Sequence, residues 1–355
     1  MNWPAHGSNP QYIYEAMNLP KPNTWIDLSA NINPLGPPKS ILEKWLHFYE
    51  SIGEYPDPFA NALKEQIAQQ AGVAKESILV GNGGAELIML LGRMIAQKNV
   101  LIVQPTFSEY EKACQANGCH VFYHYLDEKW SLNLQGLIEK LDGVAAVFLC
   151  NPNNPTGVCF SLAEIQFLAE ACTRKGIYLI IDEAFYDFWK DYEPLTPLQR
   201  TCENIILIRS MTKMYAIPGL RLGYLIASEE VVGQIAQYQP HWSVNVLAML
   251  AGQECLKDEE FINQTIDYIE KERAKLSLFF TQEGFEMSPS KVNFYLLRDP
   301  ELESQLPLFE FLLRHGIVPR HTMNFPGLGG EWLRFAIKSK TENDQLLQVL
   351  EEWRR

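Results

Sequence analysis

The sequence lacks an uninterrupted apolar run of the roughly eighteen residues that a membrane span requires. Its first ten residues, MNWPAHGSNP, carry neither the basic cluster nor the apolar stretch of a secretion signal. A soluble, cytoplasmic protein is therefore expected. Basic charge is also scarce: 30 Lys and Arg stand against 43 Asp and Glu, a formal net charge of -13. This balance excludes general binding to nucleic acid or to anionic membranes, both of which need a basic surface. Any anionic ligand must be held by a local cluster of donors. No two of the seven cysteines have CxxC spacing, and several, such as Cys150 in AAVFLCNP, lie in apolar runs. Reduced, buried thiols are expected, with neither disulfides nor a zinc site. HExxH and GxSxG are missing too, which removes the motif support for a metal hydrolase or a serine hydrolase. His120 and His124 sit four apart, but on a strand that spacing spans roughly 13 Å, too far to share one ion. No metal is expected.

What is present is an ordinary globular composition, 47% apolar and 21% charged, over 355 residues, enough for one large domain and a smaller one. Seven short apolar runs read as strands: SILVG (77–81), NVLIVQP (99–105), HVFYHYL (120–126), AAVFLCNP (145–152), GIYLIID (176–182), NIILIRS (204–210) and LGYLIAS (222–228). Between several of them lie segments of helical apolar spacing, such as AELIMLLGRMIAQ and SLAEIQFLAEACTRK. The alternation predicts an α/β protein whose mostly parallel sheet has helices on both faces and ligands at the carboxyl ends of its strands. Past residue 245 a long charged helix, DEEFINQTIDYIEKERAKLSLFF, precedes the strand candidates KVNFYLLR and WLRFAIKS, the texture of a smaller α+β domain. The expected division is a proline-rich arm over 1–30, lying on the small domain or on a dimer partner, a large domain over 31–245 and a small domain over 246–355.

ILVGNGGAELIML reads as strand, glycine turn and helix, which aims backbone N–H groups at a phosphate. A dinucleotide fingerprint fails here: Glu86 occupies the place of its third glycine, and NVLIVQP lacks a terminal acid for a ribose. A compact phosphate cup at Gly83, Gly84 and Ala85 remains. Three other strand ends present a polar group at the same expected edge: Asn154 after AAVFLCNP, Asp182 after GIYLII and Lys213 after NIILIRS. Pyridoxal phosphate asks for this set, because its aldehyde needs a lysine, its ring nitrogen an acid, and its phosphate a helix N-terminus and a cation such as Arg221.

With NNPTG at 153–157, DEAF at 182–185, SMTK at 210–213 and GLRLG at 219–223, in that order and spacing, the chain is similar to the class I and II aminotransferases, fold-type I pyridoxal phosphate enzymes. The resemblance covers nearly the whole chain. It implies that Lys213 forms the Schiff base with the cofactor, that Asp182 pairs with the ring nitrogen and that Asn154 reaches the ring 3-oxygen. It assigns Ser210, Arg221, Gly84 and Ala85 to the cofactor phosphate, Phe107 to stacking on the ring, and Tyr55 to the phosphate of a neighbouring subunit, hence a homodimer with shared sites. Phe185 departs from the pattern, since many relatives carry a tyrosine there. Two branches of the family fit. HGSN at 6–9, SANINPLG, DEAFYDF, YAIPGLRLGYL and HWSVN favour decarboxylation of L-threonine O-3-phosphate to (R)-1-amino-2-propanol O-2-phosphate for cobalamin synthesis. The other branch transaminates histidinol phosphate with 2-oxoglutarate. For a phosphorylated amino acid substrate the resemblance assigns His6, Asn31, Arg320 and Arg334 to the phosphate, with Asn154 near the carboxylate; in the alternative Arg334 anchors a carboxylate. Lys338 stands where some relatives carry arginine.

Overall fold

The computed structural model describes residues 3–355. Among these residues thirteen strands follow in chain order: β1 (Ile26–Asp27), β2 (Ile78–Gly81), β3 (Asn99–Gln104), β4 (His120–Tyr125), β5 (Ala146–Cys150), β6 (Tyr178–Asp182), β7 (Ile205–Ser210), β8 (Gly223–Ile226), β9 (Glu286–Met287), β10 (Phe294–Arg298), β11 (Ile317–Val318), β12 (Arg320–His321) and β13 (Leu333–Ala336). All seven apolar runs of the first two-thirds are strands, and they form one sheet in the order β2-β8-β7-β6-β5-β3-β4. The reason is visible in the burial: β2, β5, β7 and β8 are covered on both faces along their whole length. Continuous Val, Ile and Leu runs suit a central strand because neither face meets water.

The pairings within β3 to β7 are parallel, so Gln104, Cys150, Asp182 and Ser210 end at one edge. In this sheet β8 runs against its neighbours β7 and β2. An antiparallel strand begins where its neighbours end, and Gly223 is accordingly paired with both Ser210 and Gly81. This inversion delivers Arg221 to the edge at which β2, β6 and β7 terminate.

Helices flank the sheet. The helix Leu162–Lys175 opens on a capping box in which Ser161 accepts from Glu164 N and Glu164 answers to the Ser161 backbone; such a cap is worth about 1 kcal/mol. The long helix Glu259–Gln282 begins at Asp258, whose side chain accepts from Phe261 N. After it, β9, β10, β13 and β12 make a four-stranded antiparallel sheet. The N-terminal arm contains a helix, Pro10–Ala16, that the sequence pattern does not show. It joins the C-terminal part of the chain through β1, which pairs in parallel with β11, and through Tyr14, whose hydroxyl donates to Leu313 O at 2.8 Å.

All seven cysteines are unpaired, and six are buried. Among the described residues no helix is long and apolar enough to cross a membrane, and no three His, Cys, Asp or Glu side chains converge as metal ligands would. His124 is buried with neither ring nitrogen hydrogen-bonded among the described residues, and burial pushes its pKa below the usual value.

Candidate active site

A cavity of about 260 Å³ opens at the carboxyl edge of the large sheet, the edge at which the sequence pattern places ligands. Of the residues singled out from sequence, His6, Asn31, Gly84, Ala85, Phe107, Asn154, Asp182, Ser210, Lys213, Arg221, Arg320 and Arg334 all line it. Gly83 shapes the turn just behind the wall. Tyr55 is elsewhere, 84% exposed and packed on Trp242 at 5.1 Å between ring centroids. Lys338 does not reach the cavity either; its backbone bonds to Asn343 Oδ1 and Tyr268 Oη.

Lys213 follows β7 on the short helix Met211–Met214. Burial first, then the positive charges of Arg334 and Arg221, bring its amine down to about 8, against the opposing pull of Asp182. A lysine so tuned is still mostly protonated at pH 7, but roughly a tenth of it is the neutral nucleophile, a few hundred times more than for an ordinary lysine.

Asp182 ends β6, 5% exposed. Oδ1 accepts from Ala184 N at 2.9 Å and Oδ2 from Tyr110 Oη at 2.6 Å. Burial raises its pKa, and these two donors oppose the rise. The next residue, Glu183, is fully buried and pairs with Arg209 Nε at 2.8 Å. Because Arg209 precedes Ser210, this ion pair ties the ends of β6 and β7 together directly beside the acid and the lysine. Asn154 presents Oδ1 to Arg334 Nη1 at 2.5 Å, and its backbone N donates to Cys150 Sγ at 3.4 Å.

At the glycine turn Gly83 adopts φ +78°, and a Cβ there would stand 2.7 Å from Arg221 Nη2. Only glycine lets the guanidinium lie against this turn. A Cβ on Gly223 would likewise stand 3.0 Å from Gly84 N, so β8 and the helix Gly84–Met94 meet backbone to backbone. The hydroxyls of Ser210 and Thr212 lie 2.9 Å apart on the same rim of the cavity. Helix N–H groups, two hydroxyls and a guanidinium therefore converge on a space sized for an anion.

On the other wall, β12 and β13 place Arg320 and Arg334 directly opposite each other in register. Like charges so paired are unfavourable, and both are buried. Their hydrogen bonds go to neutral acceptors: Arg320 to Ala5 O, Asn324 Oδ1 and His321 Nε2, and Arg334 to Asn154 Oδ1 and Ser29 O. Burial pushes Arg320 down to about 10. Burial and then the charge of Arg320 push Arg334 down to about 9. Arg334 Nε and Asn31 Oδ1 are buried with no hydrogen-bond partner among the described residues. His6 reaches the mouth from the N-terminal arm and pairs with Glu109 at 2.8 Å; His6 and Lys112 together hold the Glu109 carboxyl down to about 2. Phe185 takes an apolar place in the wall, edge-on to Phe294 at 4.8 Å, and Phe294 in turn lies under the Arg334 guanidinium at 5.6 Å.

A family model, "Aminotransferase class I and II", matches residues 23–350. The chain belongs to the class I and II aminotransferase family. It is 35% identical over 353 residues to the threonine-phosphate decarboxylase of Salmonella typhimurium, covering 98% of this chain and 95% of that one. It is 32% identical to the histidinol-phosphate aminotransferase of Lactiplantibacillus plantarum, over 93% of this chain and 92% of the relative. Among solved structures, the histidinol-phosphate aminotransferase of Clostridium acetobutylicum superposes with a TM-score of 0.87 at 33% identity, over 92% of this chain and 98% of that one.

Pyridoxal phosphate, the cofactor of this family, suits the residues present. Its phosphate would find donors in the cradle between Gly83 and Arg221, its aldehyde would find an amine in Lys213, and its ring nitrogen would find an acid in Asp182. Sequence reasoning missed Tyr110 and Asn324. Tyr110 carries no motif of its own; its only signal is a tyrosine on the inward face of the helix that follows Phe107. Asn324 lies in a loop whose contact with the Arg320 side chain depends on the tertiary fold.

Proposed function

We propose that this protein is a pyridoxal phosphate-dependent decarboxylase of L-threonine O-3-phosphate, a carbon–carbon lyase that releases carbon dioxide and yields (R)-1-amino-2-propanol O-2-phosphate, a precursor for cobalamin. The observation that carries the reading is the pair Arg320 and Arg334, held opposite each other in register, buried, and hydrogen-bonded to neutral acceptors. Two buried guanidinium groups without an ion-pair partner call for a ligand group with more than one negative charge, and the phosphate of threonine phosphate supplies it. The names of the relatives at 35% and 32% identity point to phosphorylated substrates as well.

When bound, pyridoxal phosphate supplies an electron sink for a bond broken at the substrate's α-carbon. This chain's own residues select which bond that is. His6, Asn31, Arg320 and Arg334 would hold the substrate phosphate and leave the carboxylate near Asn154, outside the grip of the guanidinium pair. Lys213 would hold the cofactor through its aldehyde, and Asp182 would keep a proton on the ring nitrogen. Phe185 has no polar group to offer a ligand, so Asn154 would be the residue to hydrogen-bond the cofactor's 3-oxygen.

The test is a product assay on the holoenzyme with threonine phosphate and histidinol phosphate side by side. Carbon dioxide should be released from the first. Charge-assisted contacts are worth about 1.5–3 kcal/mol each, so Arg320→Ala should lower kcat/KM for threonine phosphate by about ten- to a hundredfold with cofactor affinity unchanged. The proposal fails if no carbon dioxide appears and the amino group of histidinol phosphate passes to 2-oxoglutarate; Arg334 is then a carboxylate clamp.

A homodimer with shared sites is part of the same proposal, as is a cytoplasmic location, which the unpaired cysteines favour. Leu42, Leu46, Tyr49, Ile52 and Tyr55 are all more than half exposed along one stretch of chain, an apolar face that a monomer would leave in water. By the family resemblance, the Tyr55 of such a second copy would reach this chain's phosphate cradle. Sedimentation should give twice the 40.6 kDa of one chain, and Leu46→Glu should shift the equilibrium toward single chains. A monomeric parent protein with full activity would sink the shared-site model.

A further inference from the structure

The carboxylate of Asp182 is buried, and a buried carboxylate prefers to be neutral. A neutral acid cannot stabilise a positive charge on a ring nitrogen, so the chain needs donors that favour the ionised form. Two are present. One is the backbone N–H of Ala184, a local contact made wherever the chain turns after β6. The other is Tyr110, a residue from a different element, 72 positions away in sequence.

Tyr110 is fully buried, and its ring is held by its neighbours. It stacks on Phe148 with centroids 5.3 Å apart and planes at 16°, meets Phe107 edge-on at 5.9 Å, and forms part of the cavity wall. A ring so wedged has little freedom to rotate its hydroxyl away from Oδ2, which it reaches at 2.6 Å, the length of a charge-assisted O–H···O bond. Its phenol stays protonated, since burial and the Asp182 charge both raise its pKa well above the ordinary value. The hydroxyl is therefore a permanent donor. The other ionisable neighbours act unequally on Asp182: Glu183 opposes its charge and Lys213 favours it.

We propose that Tyr110 is a positioning residue whose phenol holds one oxygen of Asp182, so that the carboxylate remains a charged, correctly aimed acceptor for the cofactor's ring nitrogen. This inference rests on the cofactor reading above. It implies that the Tyr110 hydroxyl matters only while residue 182 is an acid, whereas the Tyr110 ring matters to packing regardless.

The experiment is a double-mutant cycle on cofactor affinity. Pyridoxal phosphate is titrated into cofactor-free parent, Tyr110→Phe, Asp182→Asn and the double variant, with binding read from visible absorbance and folding from the melting temperature of each cofactor-free protein. Phenylalanine keeps the stacking ring and removes only the hydroxyl. Tyr110→Phe should weaken binding by about ten- to a hundredfold in the parent background, the range of a hydrogen bond to a charged group, and by less than about twofold in the Asp182→Asn background. Equal losses in both backgrounds, or no loss in either, overturn the proposal, because a packing role predicts the first and an idle contact the second. A parent protein that takes up no pyridoxal phosphate overturns the functional reading together with this one. Normal uptake by the parent with an unaltered Tyr110→Phe affinity overturns this one alone.

Discussion

Lys213→Ala should abolish turnover and the visible absorbance of protein-bound pyridoxal phosphate, and yet leave the cofactor-free protein at least as heat-stable as the parent. The loss follows from chemistry: attachment to the aldehyde needs a nucleophilic amine, and Lys213 is the lysine that lines the cavity. The stability follows from electrostatics. In the fold this amine titrates at about 8, below its ordinary 10.5, because burial and the charges of Arg334 and Arg221 disfavour the ammonium. A lysine whose folded pKa is depressed costs stability in full below the folded value, and the cost vanishes as pH rises past the unfolded value. Removing Lys213 should therefore raise the melting temperature at pH 7, and the difference from the parent should shrink toward pH 10.5. The side chain faces an existing cavity, so its loss leaves no new void to offset the gain. Calorimetry of the cofactor-free proteins at the two pH values, with an absorbance spectrum and a product assay after dialysis, checks each part. A variant that keeps absorbance and turnover after dialysis would remove the chemical basis of the proposed function.

That Lys213 could be singled out from the sequence reflects what a buried strand is. IILIRS is apolar throughout its first four positions because both faces of β7 are covered, and a polar group at the end of such a run meets the ligand edge of a parallel sheet. The same logic exposed Asp182 and Asn154. It reached Arg221 by motif alone; the physical reason, the inversion of β8, depends on strand pairing that a linear pattern does not contain. The two-residue strands β1, β9, β11 and β12 escape pattern reading, because two residues cannot display a period. For that reason the resemblance could name Arg320 and Arg334, but the cross-strand register that opposes them emerged only with the fold. Tyr110 shows the limit most plainly. Its helix, Glu109–Ala116, reads as an ordinary amphipathic segment, and nothing local distinguishes a core tyrosine from one whose hydroxyl meets the Asp182 carboxylate 72 positions away.

Asp182→Asn should lower kcat by about two to four orders of magnitude, the range that a positioned proton-transfer group or a preorganised charge contributes in a site shielded from water. The amide keeps the shape of the carboxylate and can still accept from Ala184 N, so the end of β6 should hold its course and part of the cofactor should stay bound through the Gly84–Arg221 cradle. What the amide lacks is the negative charge that holds a proton on the ring nitrogen, and without that proton the ring withdraws electrons poorly. Burial has already raised the Asp182 pKa in the parent. Protonating Asp182 at acid pH should therefore imitate the substitution: parent activity should fall on the acid limb as the carboxyl takes up a proton, and this contribution to the acid limb should be missing from the variant's profile. Stability runs the other way. A raised carboxyl pKa means that the charged form costs the fold at neutral pH and ceases to do so as pH drops through the folded value and then the unfolded one, so cofactor-free Asp182→Asn should melt no lower than the parent at pH 7. Stopped-time product assays across the pH range, with calorimetry at neutral pH, separate the two effects. Near-normal turnover in Asp182→Asn would mean that another group keeps the ring nitrogen protonated, and the pairing of Tyr110 with Asp182 would then be an architectural contact alone.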